Sequence, residues 1–252
     1  MYRVEHIMGM PVVVDVRDDG VDPAIVEQVF DWLRHVDAVF STYKDDSEIS
    51  RLERGELALE DADPDVRTVL ERCEELRAGT DGYFDARYAG KLDPSGLVKG
   101  WAVDRAAAIL DDGGVRNYAV SAGGDMRVRG GALPDAAWRI GIQHPHRREQ
   151  VAAVIETNDL AVATSGEYAR GEHVWDPHRA APPSGVLSVT ITGPDLATAD
   201  AYATAAFAMG ERGPHWTARL RAYEAMTILA DERVLSTPGF DARNADRHDQ
   251  AG

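Results

Sequence analysis

The chain has 252 residues, of which 44% are hydrophobic and 28% are charged, as in ordinary soluble globular proteins. Its formal net charge of −16 argues against binding to nucleic acid or to an anionic membrane, because proteins of both kinds concentrate Lys and Arg on a surface. The one cysteine, Cys73, excludes an internal disulfide and a cysteine-cluster metal site, and we expect it to be a small core residue.

The N-terminal half of the chain is predicted to contain a strand followed by three helices. Residues 11–17 form a β-branched run that predicts a buried strand, and apolar spacings of three and four predict a helix at 23–36. The polar segment 40–56 is predicted to be a loop or short turns. A second helix is predicted at about 64–78, ending at Gly79, and a third in LVKGWAVDRAAAILDDGG.

The C-terminal half is predicted to contain most of the strands. NYAVSAGGDMRVRGG has the pattern of two strands joined by a glycine turn, and further strands are predicted in WRIGIQHP, VAAVIETND and LAVATSG. After an extended loop, a strand in VLSVTITGPD leads to an apolar helix in TADAYATAAFAMG, then to a helix around WTARLRAYEA and a strand in MTILAD. This irregular mixture predicts an α+β fold of mixed sheets flanked by helices, with one domain over 1–242 and a disordered polar tail at 243–252.

The N-terminal segment MYRVEHIMGMPVVVDV is predicted to begin directly with a strand. It has no apolar stretch followed by a small-residue cleavage site, and no segment of the chain approaches the length of a membrane span. We therefore expect a cytoplasmic protein that does not insert into membranes.

Two polar residues interrupt the apolar helix predicted at 198–210. Asp200 and Thr204 are four residues apart, so their side chains project from one face of the helix, one turn apart. One explanation is a solvated polar stripe on a surface helix. We favour the other explanation, a site for a hard cation such as Mg²⁺, because a solvated stripe would normally contain more polar residues, and charged ones.

Two segments suit the binding of phosphate. The turn at Gly123, Gly124 and Asp125 lets the backbone approach a ligand, although a plain hairpin turn needs the same residues. Thr164 and Ser165 stand at the end of an apolar strand before a glycine, where N–H and O–H groups are available to an anion. A strand-ending turn explains this second segment equally well.

Two basic residues are candidates for a role in the chemistry. Lys99 lies near a predicted helix start, where an amine and free backbone N–H groups favour an anion, although a solvated lysine is equally consistent. His173, in EHVWDPH, is a candidate general base because the pKa of histidine lies near neutrality. With 8 histidines in the chain, a surface or packing role is the competing explanation.

In their order along the chain, these motifs resemble the ApbE family of FAD:protein FMN transferases. The matching stretches span residues 6 to about 230 and are MGM, FSTYKDDSEISRL, LDPSGLVKGWAVDRA, SAGGD, LAVATSGEYAR, HVWDP and TADAYATAAFAMG. The resemblance implies a T-fold-like domain with its active site in a cleft between two subdomains. It also implies an enzyme, a Mg²⁺-dependent flavinyltransferase that cleaves FAD, releases AMP and attaches FMN to a Thr or Ser hydroxyl of an acceptor protein.

The resemblance further implies a role for each candidate residue. Asp200 and Thr204 would bind Mg²⁺ together with a backbone carbonyl, which we assign to Ala102. His173 would be the base that deprotonates the acceptor hydroxyl. The remaining candidates would bind FAD, with Met8 and Tyr43 at the flavin and the others around the phosphates and adenosine: Lys99, Gly123, Gly124, Asp125, Thr164 and Ser165.

The sequence departs from the family pattern in two places. After Asp85, Ala86 and Arg87 replace a Pro-Thr pair and much of the following loop is absent. The lipoprotein-type signal of exported members is also missing, which leaves the acceptor open; a cytoplasmic flavoreductase domain is a reasonable one. Two alternatives to transfer stay open, namely hydrolysis of FAD to FMN and AMP, and a non-catalytic FAD-binding protein.

Overall fold

The computed structural model describes residues 1–88, 90–147, 149–166 and 174–245. In chain order, the strands are β1 (Tyr2–Ile7), β2 (Met10–Val16), β3 (Arg87–Tyr88), β4 (Lys91–Leu92), β5 (Tyr118–Ala122), β6 (Asp125–Arg129), β7 (Trp138–Gln143), β8 (Val151–Thr157), β9 (Asp159–Gly166), β10 (Val186–Gly193), β11 (Glu224–Leu229) and β12 (Val234–Ser236). The helices are α1 (Pro23–Phe40), α2 (Glu48–Glu53), α3 (Pro64–Gly79), α4 (Ser95–Asp112), α5 (Leu196–Ala208), α6 (Gly213–Thr217) and α7 (Pro238–Asp241), with short 3-10 turns at Leu59–Asp61 and Gly210–Arg212.

A sheet of eight strands organises the fold. Its strand order is β1-β2-β5-β6-β9-β10-β11-β12, and every neighbouring pair runs antiparallel. Two hairpins, β3–β4 and β7–β8, stand apart from this sheet. The helices α1 to α4 are inserted between β2 and β5, which are neighbours in the sheet. One sheet therefore joins strands from both ends of the described chain.

The sheet is covered on both faces. On one face, Val14 of β2 and Phe30 of α1 belong to the larger buried cluster, which also includes the apolar residues of α4 and α5. On the other face, Trp138 of β7 and Met226 of β11 belong to a smaller cluster beneath the β7–β8 hairpin. All eight residues of β10 are buried; Val186, Val189 and Ile191 belong to the larger cluster and Leu187 to the smaller one, so both faces of the strand are covered.

Most of the predicted elements are confirmed. The strand expected at 11–17 is β2, the helix expected at 23–36 is α1, and α3 ends at Gly79. The apolar helix that carries Asp200 and Thr204 is α5. The α+β architecture is confirmed as well, with antiparallel pairing in every described strand pair.

Two local predictions differ from the structure. The segment expected to be a loop or short turns at 40–56 contains the helix α2, whose first turn is capped by Ser47. The helix expected around WTARLRAYEA is reduced to α6, which ends at Thr217. Ala222 has a φ of +64°, which no helix accommodates, and β11 begins at Glu224. The chain therefore turns where local propensity favours continuing the helix.

The first residues of the predicted tail are held against the β7–β8 hairpin. The carbonyl of Arg243 accepts a hydrogen bond from the N–H of Glu156 at 3.1 Å, and Oδ1 of Asn244 accepts one from the N–H of Val154 at 3.3 Å. The expectation of disorder from residue 243 is therefore wrong for these two residues. Residues 246–252 lie outside the described part of the chain, and the single domain over 1–242 stays a prediction.

Candidate active site

A cleft of about 700 Å³ lies where α4, the β5–β6 turn, the end of β9 and α5 meet. It brings together side chains and backbone that are far apart in the sequence. Six of the residues proposed from the sequence line it, namely Lys99, Gly123, Thr164, Ser165, Asp200 and Thr204.

The crossing of α4 and α5 fixes the two helices that supply the charged side chains. Gly100 lies so close to Leu196 that a Cβ at position 100 would be 2.4 Å from the Leu196 carbonyl oxygen. Asp104, one turn further along α4, accepts hydrogen bonds at 2.8 Å from the backbone N–H groups of Leu196 and Ala197. Burial raises the pKa of Asp104 to about 6, although these hydrogen bonds favour its charged form. The first turn of α5 is therefore capped by a carboxylate that α4 provides.

Asp200 is a carboxylate of the cleft that is almost completely removed from solvent, with 2% of the residue exposed. Its Oδ1 lies 3.4 Å from Nζ of Lys99, and its Oδ2 accepts a hydrogen bond from the N–H of Gly100 at 3.3 Å. Burial raises the pKa of Asp200; the Lys99 ammonium opposes this effect, and the nearby carboxylate of Asp125 adds to it. Positive charge placed at Asp200 therefore stabilises its ionised form.

Asp125 is a second buried carboxylate, and Lys99 connects it to Asp200. Nζ of Lys99 lies 2.5 Å from Oδ2 of Asp125, and Oδ1 of Asp125 accepts a hydrogen bond from the N–H of Thr164 at 2.9 Å. Asp125 is 2% exposed and does not line the cleft. The structure thus places Asp125 behind Lys99, whereas the sequence predicted direct contact with FAD.

Three of the hydroxyl-bearing residues that line the cleft, Thr164, Ser165 and Thr204, lie on β9 and α5. Oγ1 of Thr164 is hydrogen bonded to Oγ1 of Thr190 at 2.9 Å, inside the sheet. Oγ of Ser165 and Oγ1 of Thr204 lie 3.4 Å apart, a distance at which a hydrogen bond is weak. The Ser165–Thr204 pair is therefore better placed than Thr164 to offer hydroxyl oxygens to a ligand.

The backbone carbonyl assigned to the metal site from the sequence is not brought to the cleft. The carbonyl oxygen of Ala102 accepts a hydrogen bond from Nε1 of Trp32 at 3.0 Å, and Ala102 is fully buried away from the cleft lining. Gly96, in the first turn of α4, lines the cleft instead. It lies against Thr204, whose Oγ1 would be 3.4 Å from a Cβ at position 96. The structure therefore places position 96, and not position 102, beside Thr204 in the cleft.

The two residues predicted to contact the flavin lie outside the cleft lining. Met8 and Gly9 form the β1–β2 turn, with φ values of +55° and +71°. This turn lies at the same edge of the sheet as Gly123, whose N–H bonds to the carbonyl of Pro11 at 3.3 Å. Tyr43 is 91% exposed in the loop after α1. Contact of either side chain with a flavin stays a prediction.

His173, the predicted base, lies outside the described residues, so its role stays a prediction as well. The structure resumes at Val174, and both Val174 and Trp175 line the cleft.

Another wall of the cleft was not predicted from the sequence. It comes from the loop after α3 and the β3–β4 hairpin, and its residues are Tyr83, Phe84, Asp85, Ala86, Lys91 and Asp93. The hairpin occupies the segment in which the sequence departs from the family pattern, and it is closed by a hydrogen bond from the N–H of Asp93 to the carbonyl of Ala86 at 2.8 Å. The cluster TDGYFDA was a usable signal for a turn, but turn chemistry does not say which way the side chains face.

Comparison with known proteins places these features in a family. The profile of the ApbE family matches residues 8–90 and 86–227. The FAD:protein FMN transferase of Rhodobacter capsulatus is 30% identical over 239 residues, which cover 90% of this chain and 42% of that protein. The FAD:protein FMN transferase of Vibrio cholerae serotype O1 is 38% identical over 130 residues, which cover 48% of this chain and 39% of that protein. Both matches span less than half of the relative's length.

Solved structures show the same fold. The ApbE protein of Thermotoga maritima superimposes with a TM-score of 0.84 at 23% identity, over 96% of this chain and 98% of that one. The flavin transferase ApbE of Vibrio cholerae gives a TM-score of 0.84 at 24% identity, with the same coverage of both chains. The family profile covers most of the sequence and the fold agrees over nearly all of it, so the chain belongs to the ApbE family.

Proposed function

We propose that this protein transfers FMN from FAD to a Thr or Ser hydroxyl of an acceptor protein and releases AMP, in a reaction that depends on Mg²⁺. The observation that carries the proposal is the buried carboxylate of Asp200 beside Thr204 and Lys99 in one cleft. The names of the relatives, FAD:protein FMN transferases, supply the substrate and the type of transfer.

The oxygen atoms around Asp200 fit Mg²⁺. A buried carboxylate, the hydroxyl of Thr204 and the backbone carbonyl of Gly96 are hard donors, and no sulfur or imidazole from the described residues lines this cleft. In a regular helix, the N–H of Gly100 bonds to the carbonyl of Gly96. Here the same N–H donates to Oδ2 of Asp200, which places that carboxylate beside this turn of α4. We therefore assign Asp200, Thr204 and the carbonyl of Gly96 as protein ligands, in place of Ala102.

The remaining polar groups of the cleft suit the phosphates of FAD. Lys99 and Ser165 line the same cleft as Asp200 and would supply an ammonium and a hydroxyl, and Gly123 offers a backbone without a side chain. Together with Thr164 and Gly124, they would surround the pyrophosphate. We retain Met8 as a contact of the flavin, because the β1–β2 turn lies at the same sheet edge as Gly123, and we retain Tyr43 on the family resemblance alone.

The chemistry that follows is a displacement at phosphorus. The acceptor oxygen forms a bond to the phosphorus of the FMN half, the bond from that phosphorus to the bridging oxygen breaks, and AMP leaves with the bridging oxygen. His173 takes the proton of the acceptor hydroxyl. Mg²⁺ held by Asp200 and Thr204 would supply positive charge beside the phosphate oxygens, and Lys99 would contribute a second positive charge from the protein.

Two alternatives use the same site. With water in place of the acceptor hydroxyl, the reaction is hydrolysis of FAD to FMN and AMP. A protein that holds FAD without turnover would use the same phosphate and metal contacts, and the shortened segment after Asp85 motivates this possibility. The products distinguish the three hypotheses: transfer gives flavin bound covalently to the acceptor, hydrolysis gives free FMN, and binding without turnover leaves FAD unchanged.

One experiment separates them. The protein is incubated with FAD, MgCl₂ and an acceptor that carries a Thr-containing flavinylation motif, and AMP, FMN and covalently bound flavin are measured with and without EDTA. We expect AMP and protein-bound flavin in equal amounts, abolished by EDTA and by Asp200→Asn, strongly reduced in His173→Ala, and retained in the surface control Asp231→Asn. Free FMN without bound flavin would replace transfer by hydrolysis, and retained FAD without AMP would leave a binding protein.

The described part of the chain contains no helix that is long and apolar enough to cross a bilayer. The cytoplasmic location and the identity of the acceptor protein stay predictions. A cytoplasmic flavoreductase domain is the acceptor that we propose to test first.

A further inference from the structure

Two buried carboxylates share one ammonium group in this cleft. Nζ of Lys99 lies 2.5 Å from Oδ2 of Asp125 and 3.4 Å from Oδ1 of Asp200. The exposed fractions of the three side chains are 20% for Lys99, 2% for Asp125 and 3% for Asp200. Among these three groups one negative charge is left without compensation when both carboxylates are ionised.

The ion pair between Lys99 and Asp125 is closer and more fixed than the ion pair between Lys99 and Asp200. Its Oδ1 accepts a hydrogen bond from the backbone N–H of Thr164, inside the sheet, at 2.9 Å. Its Oδ2 is enclosed and has no hydrogen bond of regular geometry among the described residues, so the ion pair with Lys99 is what compensates it. The ammonium is also closer to Asp125 than to Asp200 by 0.9 Å. Asp125 is thus the fixed partner of Lys99.

Asp200 is the partner that faces the cleft. It lines the cleft together with Lys99, whereas Asp125 does not. A buried carboxylate without a counter-ion costs several kcal/mol in a folded protein. When Asp200 is ionised, either the ammonium or a metal ion must therefore compensate it, and the two compete for the same oxygen atoms.

We propose that Lys99 is the resident counter-ion of Asp200 in the metal-free protein, and that a divalent cation displaces its ammonium from Asp200 while Asp125 retains it. Asp125 is then a positioning residue that acts through Lys99. This inference rests on the proposed function in one respect, that Mg²⁺ binds at Asp200. It explains why the protein needs a lysine between two acidic residues, and it predicts how stability and metal affinity change when either partner is neutralised.

The test measures thermal unfolding and metal affinity, not turnover. Lys99→Met removes the charge while preserving most of the side-chain length, and Lys44→Met is the matched control, because Lys44 forms an exposed ion pair with Asp37. Melting temperatures of the full chain are measured in EDTA and over a series of MgCl₂ concentrations, and Mg²⁺ and Mn²⁺ binding is measured by calorimetry.

In EDTA, we expect Lys99→Met to melt about 10 °C below the wild type, because two buried carboxylates lose their counter-ion. Saturating MgCl₂ should recover most of this loss, so that the variant gains more from the metal than the wild type does. The affinity for Mg²⁺ should rise about tenfold or more, because no ammonium competes for Asp200. Lys44→Met should stay within about 2 °C of the wild type under both conditions.

A second variant is expected to lower the affinity for Mg²⁺, whereas Lys99→Met is expected to raise it. Asp125→Asn keeps the acceptor for the Thr164 N–H but loses the charge, so the ammonium of Lys99 binds Asp200 alone. We expect the affinity for Mg²⁺ to fall about tenfold. In the Lys99→Met background, Asp125→Asn should lower the affinity for Mg²⁺ clearly less than it does in the wild type. If Asp125 acted only through the electrostatic effect of its charge on the metal, the decrease in affinity would be the same in both backgrounds.

Each outcome decides the inference. A Lys99→Met variant with the melting temperature of the wild type in EDTA, or with weaker Mg²⁺ binding, overturns the counter-ion role. An Asp125→Asn variant with unchanged or tighter Mg²⁺ binding overturns the positioning role. If the wild type binds neither Mg²⁺ nor Mn²⁺, the metal in the proposed function fails, yet the melting temperatures in EDTA still decide whether Lys99 compensates the two carboxylates.

Discussion

Gly100 of α4 lies directly against the carbonyl oxygen of Leu196, at the first residue of α5, and a Cβ at position 100 would lie 2.4 Å from that oxygen. Two further atoms within 3 Å of such a Cβ also belong to the backbone of α5. Backbone atoms cannot rotate away as a flexible side chain does. The distance between α4 and α5, and with it the position of Lys99 relative to Asp200, thus depends on a glycine at this position.

Gly100→Ala should therefore separate the two helices. Alanine has a better intrinsic helix propensity than glycine by roughly 1 kcal/mol, but the clash opposes it and overpacking typically costs about 1–3 kcal/mol. We expect the free energy of unfolding, measured by chemical denaturation, to fall by about 1–2 kcal/mol. Mg²⁺ binding should weaken at the same time, since Asp200 moves with α5.

Gly79→Ala is the control for this substitution. Gly79 is the last residue of α3, and a Cβ there would meet no atom within 4 Å. The alanine should leave stability unchanged or raise it by up to about 1 kcal/mol. Equal effects of the two substitutions would contradict the role assigned to the helix crossing.

Thr204→Val tests the hydroxyl ligand proposed beside Asp200. Valine preserves the shape of threonine but removes Oγ1, which lies 3.4 Å from Oγ of Ser165. Because this contact is weak, we expect the melting temperature in EDTA to change little. Mg²⁺ affinity, measured by calorimetry, should fall about tenfold or more.

The matched control is Thr198→Val, on the same helix. Thr198 is buried, and its Oγ1 lies 3.3 Å from Nη2 of Arg72, away from the cleft. This substitution should leave Mg²⁺ affinity as in the wild type. A similar loss of affinity in both variants would show that α5, and not the hydroxyl of Thr204, governs the effect.

The sequence was sufficient to predict the helix that carries Asp200 and Thr204, but it was not sufficient to predict which backbone groups of α4 lie beside them. The spacing of Asp200 and Thr204 placed them on one face of a helix, and they do line one cleft. It could not indicate that Gly96 lies beside Thr204, because a backbone group leaves no signature in residue identity. Nor could it show where the Ala102 carbonyl points; in the structure this carbonyl accepts a hydrogen bond from Trp32 of α1.

Asp125 shows a different limit of sequence analysis. A glycine turn followed by an acidic residue is typical of a backbone that approaches a ligand, and Gly123 does line the cleft. The side chain of Asp125 lies on the buried side of β6, where it bonds to Thr164 of the neighbouring strand β9. The direction of one side chain at a strand end depends on register, which the turn motif does not specify.

Trp32→Phe tests the assignment of the Ala102 carbonyl as a structural group. The substitution removes the indole N–H that donates to this carbonyl at 3.0 Å, while keeping an aromatic ring beside Trp101. We expect the free energy of unfolding to fall by about 1 kcal/mol, which is typical of one lost hydrogen bond. Mg²⁺ affinity should be unchanged, and a large loss of affinity would return Ala102 to the metal site.

Asp104 should make the stability of the protein depend on pH in an unusual direction. Burial raises its pKa to about 6 in the folded state, against a usual value of 3.8. Between these two values the folded chain holds a proton that the unfolded chain has already lost. The protonated Asp104 therefore makes its full contribution to the free energy of unfolding at pH values below the usual pKa. As the pH rises from the usual pKa through the raised one, the free energy of unfolding falls by about 3 kcal/mol in total.

Asp104→Asn removes this titration, since asparagine stays neutral. The N–H groups of Leu196 and Ala197 both donate to Oδ2, so the asparagine oxygen keeps these two bonds, and only the bond from Leu196 to Oδ1 at 3.0 Å is lost, which costs about 1 kcal/mol at all pH values. Unfolding by urea at pH 4.5, 5.5, 6.5 and 7.5 should thus show the variant gaining stability relative to the wild type as the pH rises.

Asp18→Asn is the control for this pH profile. Burial raises the pKa of Asp18, but hydrogen bonds from Asn117 and Arg116 outweigh it and hold the pKa below its usual value. Because the pKa of Asp18 is lowered, its carboxylate stays ionised over the same four pH values, and the difference of the variant from the wild type should be constant. A constant difference for Asp104→Asn as well would mean that the Asp104 carboxylate is ionised throughout, held by the amides at the start of α5 despite its burial.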